Sequence, residues 1–193
     1  MKIIPAAGDA LIVVDMQNDF LPGGRLAVAR GDDIIPQLNR YLAYFGAHQL
    51  PVFATRDWHP PDHCSFQPQG GQWLPHCIAG SDGAAFHPAL ELPAATHIIS
   101  KAMARESDAY SGFSGTQLDE LLRSLHIRRV FIGGVATEYC VFHTVKDALQ
   151  LQYATFVLKD AIRAIDRQPG DGQRALQKMM QLGAQSIRYQ ELA

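Results

Sequence analysis

Leu11-Ile12-Val13-Val14-Asp15 decides how this chain is read: four apolar residues, then at once a carboxylate. The run is short and apolar throughout, as a β-strand covered on both faces must be. The pattern recurs. Val52 to Thr55 precedes Asp57, Thr96 to Ser100 precedes Lys101, and Val130 to Gly133 precedes Cys140 by a short turn. Further strand-like runs cover Ala154 to Leu158 and a short stretch near Ser186 to Arg188. Amphipathic patterns alternate with them. Ile34, Ile35, Leu38, Leu42 and Phe45 follow helical spacing, with Asp32 as the expected N-cap. So do Leu118, Leu121, Leu122 and Leu125, then Val141, Val145, Ala148 and Leu149. The last set is Ala175, Leu176, Met179 and Met180, with Gly183 as its stop. This alternation predicts an α/β fold of three layers, with helices on both faces of a mostly parallel sheet of about six strands. In such a sheet the carboxyl ends of the strands open on one crevice. Asp15, Asp57, Lys101 and Cys140 are therefore expected to meet there.

The bulk numbers exclude some classes of function. The chain has 193 residues, 47% hydrophobic and 19% charged, which suits one domain over 1–193 that needs no disulfide staples. A formal charge of −2 offers no basic field, so no nucleic-acid partner is expected. No apolar run approaches the roughly 20 residues that cross a bilayer, so no membrane partner is expected. The N-terminus lacks a signal-peptide core, and the three cysteines, Cys64, Cys77 and Cys140, form no disulfide framework. Both features point to the cytoplasm. Helix faces with spare apolar residues permit a homo-oligomer.

Each reactive residue has an ordinary reading beside a chemical one. Asp15 could cap backbone N–H groups, or act as a general base. Lys101 could snorkel to solvent, or pair with Asp15. Cys140 follows Gly133-Gly134-Val135-Ala136-Thr137, with Thr137 as the expected N-cap. That places it in a first helical turn, where the positive helix end favours a thiolate and the amides can hold an oxyanion. The ordinary alternative is a small buried hydrophobe. His143, three residues on, could pair with it but is more simply a packed histidine. From Asp57 to Pro93 no periodicity survives, and the segment is rich in Pro, Gly and His. Loops of that length are usually functional or disordered, and the tryptophans and histidines in its first half favour an ordered, functional one. Asp57 and His59 alternate along an extended segment, with His63 and His76 beyond. Carboxylate plus imidazole suits Zn²⁺, Fe²⁺ or Mn²⁺, against the ordinary reading of unrelated polar residues.

Taken together, these stretches resemble the isochorismatase-like cysteine hydrolases, and among them the nicotinamidases. The matching pieces are Val14-Asp15-Met16-Gln17-Asn18-Asp19-Phe20, Asp57-Trp58-His59-Pro60, Trp73-Leu74-Pro75-His76-Cys77, Lys101, Tyr110-Ser111-Gly112-Phe113 and Gly134 to Val141. The resemblance implies the isochorismatase-like hydrolase fold and a catalytic triad of Asp15, Lys101 and Cys140. It implies an oxyanion hole from the Ala136 and Cys140 amides, with a cis peptide between Val135 and Ala136. It implies a divalent metal, zinc first and iron or manganese next, on Asp57, His59 and His76, with the loop around 57–93 carrying the site. His63 stands closer to His59 than in members that use a further histidine. Phe20, Trp73 and Tyr110 match positions that wall the ring pocket. Glu138 departs from the Asp that many members carry. The implied reaction is hydrolysis of nicotinamide to nicotinate and ammonia through a thioester, in NAD salvage. The rivals are a carbamoyl or ureido amidohydrolase of the same superfamily, a metallohydrolase using metal-bound hydroxide, and a non-catalytic metal- or partner-binding domain.

Overall fold

A computed structural model describes residues 2–193. The elements in chain order are β1 (Asp9–Val14), α1 (Ile35–Ala47), β2 (Val52–Asp57), β3 (His97–Lys101), α2 (Leu118–Ser124), β4 (Arg129–Val135), α3 (Phe142–Gln150), β5 (Ala154–Arg163), α4 (Asp171–Gln181) and β6 (Gln185–Ile187). The six strands form one sheet in the order β3-β2-β1-β4-β5-β6. Every pairing is parallel.

Residue alternation along β1 divides the core. Leu11 and Val13 pack with Leu38, Leu42 and Phe45 of α1. Ala10, Ile12 and Val14 pack on the opposite face with Leu118 and Leu122 of α2, Val145 and Ala148 of α3, and Met179 of α4. All six residues of β1 are buried, which is why the strand reads as continuously apolar. Each large apolar side chain so covered contributes about 1.5–3 kcal/mol. A charge at Val13 would lose that and add an unpaired ion beside α1.

The strand order places the site. The chain grows outward from β1 to β3 on one side, then restarts at β4 on the other side of β1. The crevice between the ends of β1 and β4 is thus a topological switch point, where ligands bind in sheets of this kind. Two glycines allow the close approach there. They do not end β4, as the sequence suggested. The strand runs on to Val135, and its register with β5 shifts between Ile132 and Gly134. Gly134 has φ +125°, and a Cβ there would lie 2.1 Å from the Val14 carbonyl oxygen. Likewise β5 continues to Arg163 rather than stopping at Leu158.

Helix starts differ from expectation. Asp32 lies inside a 3₁₀ turn, Gly31–Ile34, that leads into α1, so it makes no side-chain cap. Thr137 is the first residue of a π-type turn, Thr137–Val141, and Ala136 before it is extended. The expected helix stop holds: the Gly183 N–H bonds Met180 O, and the Ala184 N–H bonds Met179 O, closing α4 with its orphan carbonyls satisfied. No described helix is long and apolar enough to cross a membrane.

Candidate active site

Three strand ends and one turn build the floor of the crevice. Asp15 follows β1 directly and is fully buried, in the left-handed conformation (φ 51°) that Asp tolerates better than most residues. Its Oδ1 accepts a 2.6 Å hydrogen bond from the Thr55 hydroxyl on β2. Asp57 and Lys101 are not past their strands but close them, paired as register neighbours of β2 and β3. The Lys101 ammonium lies 2.9 Å from Asp15 Oδ2, donates to Asp57 Oδ1 and to Ala109 O, and sits 3.6 Å from Cys140 Sγ. The contact with Asp15 is an ion pair, and Oδ2 accepts no hydrogen bond among the described residues. Cys140, on the turn after β4, brings Sγ within 4.8 Å of carboxylate oxygens of Asp15 and Asp57. The ammonium fills the centre of that acidic group.

The electrostatics follow from burial. Desolvation pushes the Asp15 carboxyl up, and Asp57 adds to the rise, against Lys101 and Thr55. Burial would also raise Asp57, but Lys101 and His59 hold its carboxyl well below the usual range. Burial would lower Lys101, yet the two carboxylates keep it charged. The Cys140 thiol is pushed well up by burial and by both carboxylates, with Lys101 alone opposing. The thiol therefore gives up its proton less readily than a free cysteine, beside a carboxylate whose own proton affinity is raised.

A second cluster lies beside the first and shares Asp57. Its Oδ2 is 3.5 Å from His59 Nε2 and 3.9 Å from His76 Nε2. The imidazole Nδ1 atoms are committed to backbone carbonyls, His59 to Ala102 O at 3.2 Å and His76 to Leu74 O at 2.7 Å. Such partners leave both Nε2 atoms as lone-pair donors. His59 Nε2 is buried without a hydrogen-bond partner. An orphaned ring nitrogen facing a second imidazole and a carboxylate fits a divalent cation. Burial also lowers the His76 pKa, which keeps the ring neutral. His63 does not join the set. Its ring stacks 4.3 Å from His59, with Nδ1 on the Ser65 hydroxyl and Nε2 on Ser107 O.

Above both clusters opens a small pocket. Phe20, Trp73 and Tyr110 stand in its wall, with Asp57, His59, His76, Ala136 and Cys140 at its base. Trp73 Nε1 donates to the Tyr110 hydroxyl at 3.1 Å. The Val135-Ala136 peptide is cis. His143 packs against Tyr110 and makes no hydrogen bond to Cys140. Sequence reasoning overlooked several residues. Tyr139, Ile165 and Leu26 also line the pocket. Thr55 holds Asp15, and Gln17 clamps three backbone groups: it accepts from the Asp57 N–H and donates to Asp57 O and Ala84 O. Gln17 carried a signal, a polar residue three places after a buried strand. Ile165 carried none, because it lies past the end of β5 and reaches the crevice only through long-range contacts.

Residues 9–191 match the family model described as the isochorismatase domain. A nicotinamidase of Acinetobacter baylyi is 40% identical, with 97% of this chain and 95% of that protein aligned. Among solved structures, the pyrazinamidase of Pyrococcus horikoshii in complex with zinc is 46% identical with a TM-score of 0.91, covering 94% of this chain and 99% of that one. A protein from L. infantum in complex with nicotinate is 33% identical with a TM-score of 0.90, covering 100% and 99%.

Proposed function

The chain belongs to the isochorismatase domain family, and we propose that it is a nicotinamidase, a cysteine amidohydrolase that releases ammonia from nicotinamide and leaves nicotinate. One observation carries the reading. A thiol, a carboxylate and an ammonium meet at the base of an aromatic pocket, beside a carboxylate and two imidazoles that face one another.

The chain's own groups account for the reaction. Asp15 takes the Cys140 proton as sulfur attacks the carboxamide carbon, so the raised proton affinity of Asp15 serves the step. Lys101 stabilises the forming thiolate across 3.6 Å and keeps Asp15 oriented. The Ala136 and Cys140 N–H groups receive the oxyanion. Each such donor typically contributes roughly a hundred- to a thousand-fold in rate. Asp15 then returns its proton to the departing nitrogen, leaving a thioester and ammonia. Asp15 next activates a water that releases the acid and restores the thiol.

Asp57, His59 and His76 would hold a divalent cation, zinc being the ion in the Pyrococcus horikoshii relative. When bound it supplies a Lewis-acid anchor for a heteroaromatic ring nitrogen, so its role is to orient substrate. Phe20, Trp73 and Tyr110 sandwich the ring, and orientation of this kind can supply several kcal/mol, on the order of seven in ideal cases. The family domain occupies nearly the whole chain, which supports a single working unit over 1–193. Three free cysteines fit a reducing cytoplasm.

The test is ammonia release from nicotinamide by zinc-loaded protein, run beside carbamoyl and ureido substrates. Turnover of nicotinamide that disappears in Cys140→Ala supports the reading. Turnover restricted to ureido substrates would move the chain to the neighbouring amidohydrolases. Activity that survives Cys140→Ala and vanishes on chelation would make it a metal-hydroxide hydrolase.

A further inference from the structure

The turn that carries Cys140 also reaches outward. Glu138, half-buried on that turn, accepts the Asp166 N–H at 2.8 Å on one carboxylate oxygen and the Ile165 N–H at 3.3 Å on the other. A carboxylate that takes two successive backbone N–H groups is a bidentate clamp on that backbone, of the charge-assisted kind. The clamped segment follows β5 and forms part of the pocket rim. Ile165 lines the pocket. Two residues on, the exposed Arg167 lays its guanidinium over the Trp73 ring, 4.7 Å from the centroid. Trp73 in turn holds Tyr110 through its indole N–H and meets Tyr139 edge-on at 5.3 Å. A single side chain thus links the nucleophile's turn to an apolar wall residue and to a cation that caps the aromatic wall. Sheet register does not fix this segment, because β5 ends at Arg163.

We infer that Glu138 is a positioning residue for substrate capture: it holds the Ile165–Arg167 rim against the aromatic wall, and so sets how tightly the ring is enclosed. The inference rests on the amidohydrolase reading only for its kinetic consequence. The clamp itself is a property of the fold. Glu138→Gln keeps the size and one accepting oxygen but turns an NH₂ towards the second N–H. Arg167→Ala removes the cap without touching the clamp or the turn.

Two measurements on zinc-loaded protein test this. In hydrogen exchange, the peptide containing Ile165 and Asp166 exchanges about tenfold faster in Glu138→Gln than in wild type, while the peptides of β4 do not change. In steady-state kinetics with nicotinamide, Glu138→Gln and Arg167→Ala each raise KM by about fivefold with kcat within about twofold of wild type. The double variant is no worse than the weaker-binding single one, since both act through one rim. Unchanged exchange at 165–166 overturns the clamp. A fall in kcat at constant KM overturns the positioning role, because it means that Glu138 acts on the Cys140 turn. Multiplying KM effects overturn the shared rim. If Glu138→Gln does not fold, an unaltered KM in Arg167→Ala overturns the proposal by itself. A wild-type protein inactive on nicotinamide defeats the functional reading instead, and exchange still decides the clamp.

Discussion

The floor and the wall of the pocket are built on different principles. Asp15, Lys101 and Cys140 stand at strand ends or one turn beyond, with 0%, 1% and 6% of their surface exposed. Parallel register fixes their spacing, as the pairing of Asp57 with Lys101 shows. The wall and the candidate metal ligands beyond Asp57 come from loops. There, backbone carbonyls orient the imidazoles and rim contacts orient the aromatics. The proton-transfer machinery thus inherits its rigidity from the sheet, while substrate orientation depends on local hydrogen bonds. Damage to the floor should therefore stop the chemistry with binding intact, and damage to the wall should do the reverse.

The largest expected effect is at the floor. Cys140→Ala removes the nucleophile, and turnover should fall by about 10⁴-fold or more. Zinc content and nicotinate affinity should stay near wild type. Loss of zinc in this variant would mean that floor and wall are not separable. Lys101→Met probes the same region through stability. It leaves Asp15 and Asp57 buried without their shared cation, which costs about 3–5 kcal/mol. At about 2–4 °C per kcal/mol, the melting temperature should drop by roughly 10 °C.

Stripping the cation attacks the wall. A chelator should reduce turnover at subsaturating nicotinamide by roughly a hundredfold or more, through weaker binding, reversed by adding zinc. Because the ion binds only the folded state, it should also lower the melting temperature. Activity that persists on chelated protein would separate ring capture from the Asp57, His59 and His76 cluster. Binding should weaken on acidification, since protonating His76 removes the lone pair it would offer the cation. Burial lowers the His76 pKa, so this loss should begin below the usual histidine range near 6.5.

The contrast between floor and wall also governs what the sequence revealed. Continuous apolar runs made the strands legible, and a reactive residue at the end of each made the floor legible through the parallel-sheet rule. Asp57, His59 and His76 showed as a candidate donor set, but nothing in their spacing disclosed the carbonyls of Ala102 and Leu74 that aim the two histidines. His63, of the same residue type and in the same loop, faces Ser65 and Ser107 instead. Composition cannot tell such histidines apart, because the difference lies in backbone direction. Asp32 and Thr137 were misplaced as caps for a related reason. In each case a non-α turn, a tighter 3₁₀ turn at Asp32 and a wider π-type turn at Thr137, precedes or opens the helix in place of the expected cap. Glu138 was noted only as a departure from Asp, and Ile165 not at all, because their contact joins the turn after β4 to the segment past β5, a long-range pairing with no local signature.

The smallest expected effect sharpens the comparison most, because it tunes the floor without dismantling it. Asp15 must be ionised to accept the thiol proton, so kcat/KM should fall about tenfold per pH unit below its pKa. Burial raises that pKa, so the acid limb should lie above the ordinary aspartate value of about 3.9. Thr55 opposes the rise by donating to the ionised form. Thr55→Val keeps the shape and deletes the donor, so the Asp15 pKa should climb further and the limb should move to higher pH. A hydrogen bond to a charged group contributes about 1.5–3 kcal/mol, and 1.36 kcal/mol corresponds to one pH unit, so the displacement should be about one unit. On the plateau well above the limb the loss should be less than about tenfold. A profile from pH 4 to 9 on both proteins would decide the point. An unmoved limb would assign it to another group, with the loop imidazoles first in line, and the wall rather than the floor would then limit turnover in acid.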